Sequence, residues 1–475
     1  IKYYIHSIIG IVLMIGFGFL PPFGSVTPIG MKYLGILLGL VYLWSLVGMF
    51  WPSLLGLVVL IFSGETGASV CTAAFGNNII IMCVFAMAIV FAIGQTGVFD
   101  YLVNWILNLK MLKGRPWLLS YFLIIGLFAV VALGGEMPLL FIMWEMVYKI
   151  ADSVGIPRKS RYCAAMIVGL MFALVCGGFA MPYKSAFVFI MGLFYSMTPM
   201  ATINVVPAMI ALLVGSISVL TIYVLLMRFV LRIDLTKLKN ADASVMTQEL
   251  PPMNKRQKFA GFYLCVFLVA LVLTGLAPYM GDNVIAQTIT RMGTVGMCWL
   301  LAAILILIRI DGKPMMDVPK VASLVIWDSV LLMAIAFTLS PMLTGEGTGV
   351  SEWVMSLVNP ILGGHSAYVF TILLFVITLV LTNVANNTVV MILMITVIAP
   401  FSAILDLNLP AMAILMCLMS QTAFMLPASS IYGALIYSQS GEVATKDIML
   451  CAFMAMIAST LAMVLVILPL GNILF

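Results

Sequence analysis

Long apolar stretches alternate with short polar ones along almost the entire chain. Many of them reach the roughly 20 residues that a helix needs to cross the hydrocarbon core of a bilayer. The pattern therefore predicts an all-α polytopic membrane protein with 11 transmembrane helices. We place these near residues 4–20, 32–48, 52–63, 77–97, 160–197, 206–231, 258–280, 292–310, 323–343, 410–437 and 447–473.

Two further apolar stretches, 117–150 and 366–404, carry a polar turn near the middle. The first turn is Gly134-Gly-Glu-Met-Pro138, and the second is Thr382-Asn-Val-Ala-Asn-Asn-Thr388. Irregular polar backbone at membrane depth is tolerated where it lies inside the protein or lines a cavity. We therefore predict two re-entrant hairpins, which add no crossings to the 11 spans.

Two of the predicted spans, 160–197 and 410–437, contain a matching interruption. The first is Phe179-Ala-Met-Pro-Tyr-Lys-Ser185, and the second is Phe424-Met-Leu-Pro-Ala-Ser-Ser430. A proline removes a hydrogen bond from a helix interior, so each stretch predicts a broken helix. Broken helices at corresponding positions of two halves point to the binding site of a transporter. At one position the two differ sharply, since Lys184 stands opposite Ser429.

The polar segment 232–257 divides the chain into halves 1–231 and 258–475, and we interpret it as a cytoplasmic linker. In both halves a Thr-Gly-Val sequence, at 96–98 and at 348–350, precedes an amphipathic piece, a hairpin and a broken helix. Corresponding spans are separated by an odd number of crossings. The halves are therefore predicted to be inverted repeats.

Composition and charge agree with a membrane protein, since 64% of the residues are hydrophobic, 8% are charged and the mean hydropathy is +1.23. A soluble domain has about 25% charged residues. With a cytoplasmic N-terminus, all Lys and Arg except Lys32, Arg291 and Lys184 fall on the cytoplasmic side. This bias predicts a multi-pass protein of the cell membrane with an extracytoplasmic C-terminus and no nucleic-acid partner. The scattered cysteines and the lack of a converging nucleophile, base and metal-ligand set argue against an enzyme.

The oxygen-rich second hairpin turn and the second break suggest a binding site for a hard cation. Amide and hydroxyl oxygens there, with carbonyls exposed by the break, are the ligands that sodium-like ions need. Polar residues that only cap two half-helices would give the same pattern. Both interpretations stay open at this point.

Several motifs resemble the divalent anion/sodium symporter family of the ion transporter superfamily. Ala423-Phe-Met-Leu-Pro427 is similar to the family's second unwound helix, and Asn386-Asn387-Thr388 to its Ser-Asn-Thr hairpin motif. Gly177-Gly178 and the Thr-Gly sequences are similar as well. The resemblance implies a homodimeric, elevator-type carrier of a small anion, with Na⁺ as the coupling ion and no other cofactor.

The resemblance also implies site residues. Carried over to this chain, the substrate ligands are Gly135, Glu136, Lys184, Ser185, Asn386, Asn387, Thr388 and Ser430. The sodium ligands of the second half are Asn386, Asn387, Ser429 and Ser430. The first half departs from the family, since Gly135-Glu-Met137 occupies the Ser-Asn-Thr positions. The second half lacks the Pro-Pro-Asn continuation after Ser430, which puts a standard dicarboxylate site in doubt.

Lys184 and Glu136 admit three interpretations. They form a structural ion pair, or the Lys184 ammonium replaces a sodium ion, or Lys184 binds an anionic substrate directly. A buried lysine and glutamate can also exchange a proton, which would allow proton coupling. We therefore predict a secondary transporter of a carboxylate or oxyanion coupled to sodium, protons or both. The alternative is a monovalent cation/proton antiporter of the same superfamily, in which Glu136 titrates.

Overall fold

A computed structural model describes the chain except for residues 1, 100, 102–114, 135–136, 201–202, 241–250, 278–279, 282, 346, 363, 384–386 and 427–429. The regular secondary structure of the described part is helical apart from one short antiparallel strand pair. In that pair β1 (Arg309–Ile310) joins β2 (Lys313–Pro314), with Arg309 opposite Pro314 and Ile310 opposite Lys313. The predicted all-helical class is confirmed.

The helices of the first half are α1 (Lys2–Gly16), α2 (Pro28–Leu46), α3 (Phe50–Phe62), α4 (Gly67–Phe75), α5 (Asn78–Gly94), α6 (Pro116–Leu133), α7 (Pro138–Ser153), α8 (Arg161–Gly177), α9 (Ser185–Met197) and α10 (Val205–Phe229). Those of the second half are α11 (Lys255–Leu276), α12 (Val284–Leu307), α13 (Val318–Leu324), α14 (Trp327–Thr344), α15 (Val350–Leu362), α16 (Ala367–Thr382), α17 (Asn387–Leu405), α18 (Leu409–Ser420), α19 (Ile431–Ser438), α20 (Thr445–Ala462) and α21 (Leu468–Leu474). Single 3-10 turns occur at Phe17–Phe19, Thr236–Asn240 and Gln439–Gly441, and Met463–Ile467 is a π-helical turn.

Polar side chains mark where several of these apolar helices begin. Ser160 accepts a hydrogen bond from the N–H of Cys163 at the start of α8, and Ser366 caps α16 in the same way. Asn254 and Gln257 form a reciprocal capping box at the start of α11. Such caps satisfy backbone donors that the first helical turn leaves without partners.

The predicted number of 11 spans is not confirmed by helix length. In the described residues, six helices are long and apolar enough to cross a membrane, or up to eight if each of two bent pairs is one span. The bent pairs are α4 with α5, at 44°, and α13 with α14, at 64°. Seven shorter apolar helices lie in other predicted spans and in the second predicted hairpin, and they include α8, α9, α16 and α18. The division into inverted repeats and the re-entry of the two hairpins stay predictions.

Helices of the two halves pack against each other in matched pairs. Helix α5 packs on α12, while α3 packs on α14; likewise α8 packs on α20 and α10 on α18. Within each half, the first helix of the predicted hairpin packs on the helix that precedes the break. These are α6 on α8 and α16 on α18. The broken helices thus lie in the interior, and α8 and α18 are almost entirely buried.

Each Thr-Gly turn is bonded to the start of a helix from the other half of the chain. The amide of Gln257, in the first turn of α11, donates to the carbonyl of Thr96 at 3.1 Å. The hydroxyl of Thr27, which caps α2, donates to the carbonyl of Gly347 at 2.7 Å, and its N–H donates to Thr348 at 2.9 Å. Matched motifs therefore make matched contacts between the halves.

Candidate functional site

Two helices are interrupted in the interior of the protein. Between α8 and α9, residues 178–184 are not helical, and Pro182 there has no N–H to donate. Between α18 and α19, residues 421–426 and 430 are not helical, while 427–429 lie outside the described residues. The backbone groups freed in each break need other partners, because an unpaired buried carbonyl or N–H is costly.

The first break is fixed to the first predicted hairpin by a tyrosine. The hydroxyl of Tyr183 donates to the carbonyl of Ala132, near the end of α6, at 2.8 Å. The Tyr183 side chain is 2% exposed, and its ring lies 5.1 Å from that of Phe267 in α11. In this half, the hydrogen-bond donor therefore belongs to the break and the acceptor belongs to the hairpin.

The second break is fixed to the second predicted hairpin by an asparagine. The amide nitrogen of Asn383, just after α16, donates to the carbonyl of Thr422 at 3.1 Å and to that of Leu379 at 2.7 Å. Its amide oxygen accepts the N–H of Met425 at 2.8 Å. The hydroxyl of Tyr437 adds a bond to the Met425 carbonyl at 2.6 Å. Here the hairpin supplies both a donor and an acceptor to the unwound backbone.

Ser430 closes the second break at the start of α19. Its hydroxyl oxygen accepts the N–H of Gly433 at 3.1 Å, which makes Ser430 the cap of that helix. The same hydroxyl donates to the carbonyl of Ala423. Ser430 thus stabilises the local backbone, and a hydroxyl oxygen in this arrangement keeps one lone pair for a further contact.

The flanks of the two breaks meet at one cavity of about 390 Å³. Lys184 and Ser185 line it from the first break, and Gln421 and Tyr432 line it from the two sides of the second. The other lining residues come from α5, the first hairpin, α8, the first break, the start of α9 and the bend between α13 and α14; they are Met87, Val90, Phe91, Val131, Gly134, Met137, Leu174, Val175, Gly178, Phe179, Tyr183, Ala186, Leu324 and Ile326.

Positive charge is concentrated on one side of this cavity. Lys184 is half-buried and occupies the N-cap position of α9, where no side chain caps the helix. The first residues of α9, Ser185 and Ala186, line the cavity as well. Backbone N–H groups at a helix N-terminus carry partial positive charge and bind anions. Lysine and helix end together provide a place for an anionic group.

The sequence matches the citrate transporter family over residues 36–420, most of the chain. The chain belongs to the citrate transporter family. The predicted relationship within the ion transporter superfamily is thereby confirmed, and this family member is a multi-pass membrane transporter. The positions of its termini relative to the membrane stay predictions.

A solved structure shares the fold. The crystal structure of the YdaH transporter of Alcanivorax borkumensis superposes with a TM-score of 0.56, covering 87% of this chain and 88% of that one. The sequences are 12% identical, so the likeness concerns the fold alone. No curated protein matches the sequence significantly.

The structure brings together part of the predicted site in this citrate transporter family member. Lys184 and Ser185 line the cavity, whereas neither Asn387 nor Ser430 is among the described residues that do. Asn387 begins α17, and its buried side-chain oxygen finds no hydrogen-bond donor among the described residues. Thr388 is helical, although its side chain is not described. The remaining predicted residues, Gly135, Glu136, Asn386 and Ser429, lie outside the described residues.

Sequence reasoning missed four residues that shape this region: Tyr183, Asn383, Gln421 and Tyr432. Asn383 belongs to the polar hairpin turn, so its position was visible in the sequence but its role was not. Tyr432 stands where the resemblance leads one to expect proline, and that departure was the available signal. Gln421 and Lys184 are far apart in sequence, and only the packed helices place them at one cavity.

Proposed function

We propose that the protein is an elevator-type secondary active transporter of a small anion, coupled to sodium, protons or both. The observation that carries this proposal is the cavity between the two helix breaks. There the Lys184 side chain and the uncapped N-terminus of α9 face the same space. An anionic group placed there would receive charge-assisted hydrogen bonds, which are about twice as strong as neutral ones.

Carboxylates are the substrate class that the family name supports, since the matching family is described as citrate transporters. A carboxylate has acceptor oxygens only, and both the ammonium of Lys184 and backbone N–H groups are donors. Ser185 adds a hydroxyl donor at the same helix end. The family also supports transport rather than chemical conversion of the substrate.

Coupling to sodium is proposed for the second half, around Asn387 and Ser430. The buried oxygen of Asn387 lacks a donor among the described residues, and a cation would supply the missing positive partner. Ser430 retains a lone pair beyond its two local bonds. Oxygen ligands from amides, hydroxyls and unwound backbone suit Na⁺. Within the described residues, no three His, Cys, Asp or Glu side chains cluster as they would for a transition metal.

Alternating access by an elevator motion is supported by the matched packing of the two halves. The cavity is lined by residues of the breaks and by residues of α5 and the α13–α14 bend. Movement of the hairpins and broken helices past those elements would expose the cavity to the other face of the membrane. We propose a homodimer, because the resemblance implies one, with the surrounding lipid bilayer as its environment.

Uptake of labelled carboxylates into proteoliposomes tests the proposal. We expect Lys184→Ala to abolish uptake. We expect Lys184→Arg to leave partial activity at best, because the planar guanidinium group cannot replace a compact ammonium. Lys149→Ala is the matched control, since Lys149 is exposed on α7. Full sodium-driven uptake by Lys184→Ala would overturn the assignment of the site. Equal uptake with choline in place of sodium, and with or without a pH gradient, would overturn the coupling.

A further inference from the structure

We infer that a second cavity, on the surface of the helix bundle, binds the headgroup of an anionic phospholipid such as phosphatidylglycerol. This cavity has a volume of about 650 Å³ and lies between α5 and α12. Helix α5 contributes Asn78 and Met82 to it, and α12 contributes residues 291–296 and Trp299. The two helix breaks contribute none of its described lining residues, so the inference is independent of the transported substrate.

A kink in α12 forms one wall of this cavity. Gly293 has φ 58° and ψ −171°, a combination outside the helical region that glycine adopts far more readily than other residues. Among the described residues, no atom of another helix comes within 4 Å of the position that a Cβ at Gly293 would occupy. The kink therefore leaves an open recess in the helix surface, and Arg291 stands next to it.

Arg291 brings a full positive charge to the recess. Its side chain is exposed, and it lies seven residues after Val284, about 10 Å into a helix that is long and apolar enough to cross a membrane. A charge on such a helix is costly unless it reaches the membrane interface or meets an opposite charge. Arginine binds phosphate through two parallel N–H donors, and the amide of Asn78 is a further donor at the same cavity. These groups suit a lipid phosphate.

The cavity continues from its polar end to an aromatic one. Trp299 lies eight residues beyond Arg291 on α12, and Phe85 lies seven beyond Asn78 on α5, so both are about 10–12 Å further along. The two rings have centroids 6.3 Å apart, and the side chains are 36% exposed for Phe85 and 49% for Trp299. A polar end in line with an aromatic surface matches a headgroup and its acyl chain. A free phosphate would use the polar end alone.

The surface around the cavity also favours a lipid. Val284, Ile285 and Leu300 of α12 are 79%, 68% and 46% exposed. A contiguous apolar surface of this kind marks contact with a membrane or a partner, and α12 is a candidate membrane span. The positive charge of Arg291 selects among lipids, because an anionic headgroup carries a net negative charge and a zwitterionic one does not.

Fluorescence quenching in vesicles tests where the lipid binds. The vesicles have one fixed content of phosphatidylcholine and phosphatidylglycerol, and one lipid or the other carries brominated acyl chains. The chain has eight tryptophans, so the Trp299 signal is taken as the difference between the wild type and Trp299→Phe. We expect brominated phosphatidylglycerol to be about fivefold more effective per molecule at quenching this signal, since one basic residue near a membrane surface contributes about that factor.

Variants of Arg291 test what causes the preference. Arg291→Gln should remove it, whereas Arg291→Lys should retain part of it, because the charge remains and the paired donors are lost. Lys32→Gln is the matched control, since Lys32 is exposed, is predicted on the same side of the membrane and does not belong to the described lining. Each variant is measured with and without Trp299→Phe. A preference in Arg291→Gln equal to that of the wild type would overturn the inference.

Three further results would assign the cavity to another occupant and overturn the inference as well. Quenching of Trp299 by neither brominated lipid would mean that a second copy of the chain covers the cavity. A phosphatidylglycerol preference that appears only in Asp282→Asn would mean that Asp282, which lies outside the described residues, neutralises Arg291. Stabilisation of the detergent-purified protein by inorganic phosphate, but not by short-chain phosphatidylglycerol, would identify a site for a free anion.

Discussion

The two helix breaks occupy corresponding positions in their halves of the sequence, but different hydrogen bonds stabilise them. In the first, Tyr183 of the break donates to Ala132 of the hairpin, and Lys184 follows directly. In the second, Asn383 of the hairpin both donates to Thr422 and accepts from Met425. The first break therefore places a full charge at the cavity. The second places neutral amide and hydroxyl groups around its unwound backbone.

This difference suggests a division of labour between the halves. A fixed ammonium at a helix N-terminus suits an anionic ligand, whereas amide, hydroxyl and carbonyl oxygens suit a small cation. One cavity receives residues from both breaks and their flanks. Substitutions at Asn383, Tyr183 and Arg158 test how much each interaction contributes to the stability of the two regions.

The largest effect is expected from Asn383→Ala. The substitution leaves the Thr422 carbonyl and the Met425 N–H without this partner in a buried region, where Asn383 is 4% exposed. Each unpaired group costs about 1–3 kcal/mol, so the free energy of unfolding should fall by about 2–6 kcal/mol. Thermal unfolding of the purified protein measures the loss as a decrease in Tm.

Asn408→Ala is the matched control for that change, since Asn408 caps α18 at a distance from the break. Loss of a cap costs about 1 kcal/mol. A Tm decrease for Asn383→Ala no larger than that for Asn408→Ala would show that the break does not depend on Asn383.

A smaller effect is expected from Tyr183→Phe at the first break. The ring and its contact with Phe267 are kept, and one hydrogen bond to Ala132 is lost, for about 1–2 kcal/mol. Because Tyr183 also lines the cavity, uptake should fall more than stability alone explains. Tyr263→Phe is the control, since its hydroxyl donates to Leu301 at 2.6 Å elsewhere in the protein. Equal uptake by the two variants would mean that the Tyr183 bond is only structural.

Many of the helix boundaries can be predicted from the sequence, because the residues that end helices act on the local backbone. The interrupted span predicted at 160–197 corresponds to α8 and α9, and the one at 410–437 to α18 and α19. Proline and glycine end helices through backbone geometry, which a single chain reveals locally. The short helices α4 and α13 were not predicted, because bent pairs look like continuous or separate apolar runs in sequence.

The candidate site was predictable only in part, for a different physical reason. Lys184 stands out because a charge at membrane depth is costly and needs a function or a partner. Gln421 and Tyr432 are neutral, so the sequence does not single them out as it does a charged residue. Their importance comes from packing between halves that are far apart in sequence, which no local pattern encodes.

The smallest effect is expected from Arg158→Ala, which removes a surface link between the two regions. Arg158 pairs with Asp152 at 2.7 Å and with Glu442 at 3.1 Å, joining the loop after the first hairpin to the segment after the second break. These charges are well exposed to solvent, and such pairs contribute little to stability. At neutral pH we therefore expect a Tm close to that of the wild type, as for the neighbouring control Lys159→Ala.

The same variant should change the response to acid. The hydrogen bond from Arg158 holds the pKa of Asp152 below its ordinary value. This contribution is present above the unfolded-state pKa of about 3.9 and is lost as the pH falls through the lower folded-state pKa. Arg158→Ala removes the depression, so its Tm should decline less steeply than that of the wild type as the pH falls below about 4. Since salt screens exposed charges, the difference should shrink at high ionic strength. Identical acid profiles would mean that this link contributes nothing to holding the two regions together.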